Sequence, residues 1–61
     1  MKQKAKPIES WTDVELIMEK NKLISEIEKS LWNGYYNTAH AFTGVLILIK
    51  EEMIHRGIWN G

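Results

Sequence analysis

The stretch YYNTAHAFTGVLILIKEEMI, residues 35–54, decides the fold. Within it Tyr35, Ala39, Phe42, Leu46, Ile49 and Met53 recur at alternating spacings of four and three, which at ~100° per residue places them on one side of an α-helix. The apolar residues do not stop at that side. Tyr36, Ile47 and Ile54 fall on one flank, and Ala41, Val45 and Leu48 on the other. A helix apolar on three sides needs more cover than one partner helix gives. The seam predicts a hairpin, and Tyr36, Val45, Ile47, Leu48 and Ile54 are candidates for a dimer or partner interface.

The partner helix is legible upstream. Thr12 and Glu15 have the spacing of a capping box, with Trp11 and Leu16 placed as a hydrophobic staple around it. From residue 13 to residue 32, Leu16, Ile17, Leu23, Ile24, Ile27 and Leu31 gather on one face, while Glu15, Glu19, Lys22, Glu26 and Lys29 take the opposite arc. Lys20 falls inside the apolar face, with its stem along the seam and its ammonium at the edge, or paired with an acid across an interface. Asn33 and Gly34 end this helix, because glycine adopts the left-handed conformation without steric cost. A turn over residues 33–36 leads to a second helix over about 37–56, with Asn37 as a candidate cap, Gly57 as the stop and Ile58 folding back on Met53. Two long helices on so short a link are antiparallel neighbours. Gly44, inside the second helix, is expected where another helix crosses close to the backbone.

Composition narrows the function. A 61-residue chain is a single small domain, near the size where only ~60% of the unfolded surface is buried on folding. Chains this short compensate with disulfides, a metal or self-association. Cysteine is absent, which closes the first route, excludes thiolate metal sites and fits a cytoplasmic protein. The basic start runs into Pro7 instead of an apolar segment, so no secretion signal is read there. The longest apolar run, residues 45–49, is stopped by Lys50, Glu51 and Glu52, far short of the ~18 residues of a membrane span. Eight basic and eight acidic residues cancel, so the electrostatic footprint of a nucleic-acid binder is missing.

Catalytic and metal signatures are missing as well. His40 and His55 stand about four helical turns apart, too far to share a metal. Ser10, Ser25 and Ser30 have no motif around them, and a two-helix chain has little concavity for a substrate. No enzyme activity and no cofactor are expected. Trp11, Trp32, Trp59, Tyr35 and Tyr36 cluster near the helix ends. Aromatics of this kind cap cores and are also enriched at interaction hot spots. Trp59, beyond the last helix stop, is the leading candidate among them for partner contact.

Residues 1–10 lack apolar periodicity, hold the only proline and read as a flexible basic tail. Lys2, Lys4 and Lys6 alternate as they do in the strand of ribbon-helix-helix repressors, whose paired strands read the major groove. Pro7 would interrupt such a strand, and the first helix here is longer than that fold uses. The tail is therefore read as solvated, with a DNA-binding repressor as the alternative. Removing residues 1–7 separates the two, since an adaptor keeps its activity and a DNA binder loses it.

Gly34, Tyr36, Ala39, Phe42 and Leu46 follow the pattern Gly-x-Tyr-x-x-Ala, then an aromatic and an aliphatic residue. The pattern resembles the turn and second helix of tetratricopeptide hairpins. It also resembles the core of the small ANR proteins, negative regulators of AraC-type activators, and of the PerC-type regulators. Asn37 and Thr43 stand where those families tend to carry Arg and Trp, so only Gly34, Tyr36, Ala39 and Leu46 carry over, as packing residues. The resemblance implies a short two-helix protein that dimerises and binds a transcription factor.

The sequence thus predicts an all-α, two-helix antiparallel hairpin over residues 11–61 that dimerises into a four-helix bundle. Leu16, Ile17, Ile24, Ile27 and Leu31 are expected to pack on Ala39, Phe42, Leu46, Ile49 and Met53. The expected partners are a second copy and a larger protein such as a transcription factor. A structural subunit of a larger assembly is the remaining reading.

Overall fold

The computed structural model describes residues 7–60. The chain forms a short 3-10 turn, Ile8–Ser10, and two helices, α1 (Asp13–Trp32) and α2 (Tyr36–Arg56), packed as a hairpin. At the start of α1 the Thr12 N–H donates to Glu15 Oε1 at 2.8 Å, and the Glu15 N–H donates to Thr12 Oγ1 at 3.1 Å. That reciprocal pair is a capping box, and it satisfies two donors that a helix end otherwise leaves open.

Both helices end in the same way. Gly34 adopts φ +79°, the Gly34 N–H donates to the Leu31 carbonyl at 3.1 Å and the Tyr35 N–H to the Ser30 carbonyl at 2.8 Å. At the end of α2, Gly57 adopts φ +76°, with its N–H on the Ile54 carbonyl at 3.0 Å and the Ile58 N–H on Met53 at 2.9 Å. Each is a Schellman motif, which needs a residue free to take positive φ. The first motif closes tightly, and α2 starts at Tyr36, within a residue of the predicted start, but without the predicted cap. Tyr35 occupies the cap position without a side-chain bond, and Asn37 lies inside the helix.

Leu16, Leu23, Ile49 and Met53 are buried and form the core, with Phe42, Leu46, Ile8, Trp11, Ile58 and Trp59 packed against it. Near the turn the small residues Ser30 and Ala39 are buried. Three expected core residues lie elsewhere. Ile17, Ile24 and Leu31 are 39%, 38% and 48% exposed, and Ile27 is half-buried. The buried line of α1 is Leu16, Leu23 and Ser30, each one residue before an exposed one. A line that ends in a serine carries a weaker apolar signal than the parallel line of Ile17, Ile24 and Leu31, and periodicity points to the latter.

Residues 7–10 are not a free tail. Ser10 donates to the Pro7 carbonyl through its N–H at 2.9 Å and its hydroxyl at 2.8 Å. Arg56 ties this segment to the open end of the hairpin, donating to the carbonyls of Ile8 at 3.4 Å and Glu9 at 3.2 Å. The same guanidinium bonds Glu52 and Asp13, both at 2.8 Å. These bonds, the one to Glu52 foremost, hold its pKa above the ordinary arginine value. Lys2, Lys4 and Lys6 lie outside the described residues. Gly44 has no neighbour within 4 Å of where a Cβ would stand, so the close crossing expected there is not made within the chain.

Candidate functional site

The feature that sets this hairpin apart is a surface. On α1 the exposed Ile17, Ile24 and Leu31 each follow a buried residue, Leu16, Leu23 and Ser30. On α2 the exposed Ile54 follows Met53, and Ile47 follows Leu46, which packs on the core. One step along a helix is a rotation of ~100°. Because the helices run in opposite directions, the same forward step carries both stripes to the same broad side of the hairpin.

The Asp13–Arg56 bridge shows that residues at nearly equal chain distance from Gly34 stand across from one another. Ile17 therefore lies close to the level of Ile54, and Ile24 close to the level of Ile47, while Leu31 and Tyr36 share the turn end. All six are at least one-third exposed. Together they expose several hundred Å² of apolar surface, as much as the largest patch on an ordinary monomer.

The opposite side has a different character. The residues one step before the seam are Glu15, Lys22 and Lys29 on α1 and Glu52 on α2, and Val45 also falls there. A shallow groove of about 440 Å³ lined by Trp11, Glu15, Met18, Glu19 and Lys22 runs along α1 on that side. The interface candidates of α2 thus separate. Tyr36, Ile47 and Ile54 share the apolar side with Ile17, Ile24 and Leu31, whereas Val45 and Leu48 point away from it. The α1 contribution was missed because those residues were assigned to the core; their seven-residue spacing beside a second seven-residue line was the available signal.

Trp59 does not stand free. After the Gly57 turn it folds back, half-buried, onto the core, and the ammoniums of Lys20 and Lys50 lie 5.4 and 5.6 Å from the centroid of its ring. Such cation–π contacts are worth roughly 0.5–1 kcal/mol at exposed sites. Lys20 and Lys50 stand four residues after Leu16 and Leu46, a rotation of about 40° toward the apolar side. The cluster therefore sits in the groove between the two stripes. Among the described residues neither ammonium has a carboxylate within 4 Å. The other exposed aromatics are at the turn end, where Trp32 is 90% exposed beside Tyr35.

Among the described residues no three His, Asp or Glu side chains group as a metal site, and His40 and His55 are exposed. No helix there is long and apolar enough to cross a membrane. No protein-family model matches this chain, and no curated protein or solved structure does either.

Proposed function

We propose that this chain is a non-enzymatic, protein-binding regulator that acts as a homodimer. The observation that carries the reading is the exposed face of Ile17, Ile24, Leu31, Tyr36, Ile47 and Ile54 on a hairpin whose core is four large side chains. The shortest dimension of the molecule is 15 Å, little more than the ~10–12 Å diameter of one helix. A single layer of two helices has no second layer to cover that face, and layered packing around a shared core is how such elements become stable. Pairing two hairpins through it makes a four-helix bundle, and stable interfaces of standard size take ~800 Å² from each partner.

Self-pairing leaves the turn end uncovered, and Trp32 and Tyr35 are the contact we assign to a larger client. Aromatic side chains of this kind anchor hot spots. Of the residues that carry the resemblance, Ala39 and Leu46 pack as it implies, whereas Tyr36 is exposed; the resemblance directs the client to a transcription factor. The test is cross-linked affinity capture from the native host with the wild-type chain and with Trp32→Ala. Recovery of one larger protein by the wild type and its loss from the variant supports the reading; recovery of this chain alone, from both, overturns the regulator.

A further inference from the structure

Resting on the homodimer reading, the geometry points to a specific arrangement: we propose that two copies stack through the Ile17–Ile24–Leu31 stripe with their turns at opposite ends, pinned by Lys20 of each chain against Glu28 of the other. Two hairpins can meet face to face with their turns together or apart. With turns together, the Lys20–Lys50–Trp59 cluster of one copy falls on the same cluster of the other, gathering four ammoniums where the described residues offer no acid within 4 Å. Like charges brought together at an interface are strongly disfavoured. With turns apart, the two-fold axis passes near Ile24, the midpoint of the stripe.

Reversal about that point has a definite consequence for charge. Lys20 lies four residues before Ile24 and Glu28 four residues after it, so the reversal places each Lys20 beside the Glu28 of the second copy, twice by symmetry. Glu28 is exposed and is placed a further ~40° round from Ile24 at the rim of the face. It has no cation within 4 Å among the described residues. The same reversal exchanges Ile17 with Leu31 and returns Ile24 to itself. The occupant of the face is thus a second copy because its own pattern of apolar residues and charge complements itself when turned end for end.

The absence of cysteine makes the test clean. Single variants Ile24→Cys, Ile17→Cys and Leu31→Cys are oxidised at a concentration where sedimentation shows the wild type as a dimer. Ile24→Cys is expected to form a disulfide-linked dimer by itself. Ile17→Cys and Leu31→Cys are expected to link when mixed and not alone. Lys20→Glu and Glu28→Lys should each weaken the dimer by about tenfold, with recovery in the double variant. A dimeric wild type whose Ile24→Cys chains do not link to each other but link to Ile47→Cys chains overturns this arrangement and leaves the homodimer standing. A wild type that stays monomeric overturns both.

Discussion

Ile47 and Ile49 are two residues apart on α2 and carry the same side chain, yet Ile47 is 48% exposed and Ile49 is fully buried. Truncating each to alanine removes the same atoms from two different environments. Ile49→Ala opens a cavity beside Leu16, Leu23 and Met53, a change that destabilises by ~2–5 kcal/mol. A domain of this length holds roughly 3–9 kcal/mol at ~0.05–0.15 kcal/mol per residue, so that loss is about a fifth of the whole at the least. Ile47 realises only about half of the ~1.5–3 kcal/mol that full burial gives, and alanine recovers several tenths through its better helix propensity. Within one chain Ile47→Ala should therefore cost about 0.5–1 kcal/mol. In the proposed homodimer the exposed half of Ile47 is covered by the second chain, and such pairing would stabilise the folded state by mass action.

The assay is urea unfolding followed by far-ultraviolet circular dichroism, at a dilute concentration and at one about a hundredfold higher. Ile49→Ala should be strongly destabilised at both. The deficit of Ile47→Ala should be small when dilute and should widen with concentration. Equal losses for the two variants at the dilute concentration would refute the assignment of Ile47 to the surface. A deficit that ignores concentration would refute the pairing of that surface.

Three further outcomes test the local structure. Gly44→Ala should stabilise by about 1 kcal/mol, seen as a rise in Tm of about 4–8 °C, because nothing stands within 4 Å of the added Cβ; a loss would place another chain against Gly44. Gly34→Ala should destabilise by ~1–2 kcal/mol, since alanine resists the left-handed conformation held there at φ +79°, and denaturant midpoints measure it. Thr12→Ala should lose ~1 kcal/mol as the capping box opens, with faster amide exchange over the first turn of α1 as its local signature.

The helical hairpin was legible because its signals are local. Thr12 with Glu15, Gly34 and Gly57 each act through a few neighbouring backbone groups, and periodicity does the rest. Periodicity gives the width of an apolar stripe and not the angle at which its partner meets it, so Leu16 and Ile17 were both placed in the core although only Leu16 is buried. Ser30, whose hydroxyl leaves it outside the apolar pattern, is buried all the same, so periodicity alone does not reveal the line of Leu16, Leu23 and Ser30. Folded back on the core, Trp59 meets Lys20 and Lys50, which lie on different helices, and no reading of neighbouring residues brings them together. The same holds for Arg56, which reaches Asp13 and the carbonyls of Ile8 and Glu9, all more than forty residues away in the chain.

The central claim is that the face of Ile17, Ile24, Leu31, Tyr36, Ile47 and Ile54 is covered by a second copy. Sedimentation equilibrium of the wild type and of Ile24→Asp over a wide concentration range, with circular dichroism on the same samples, tests it directly. The account predicts that the wild type sediments at twice its 7.1 kDa chain mass and that Ile24→Asp sediments as a single chain or unfolds on dilution. A fully helical wild type that keeps the mass of one chain at the highest concentration would contradict it.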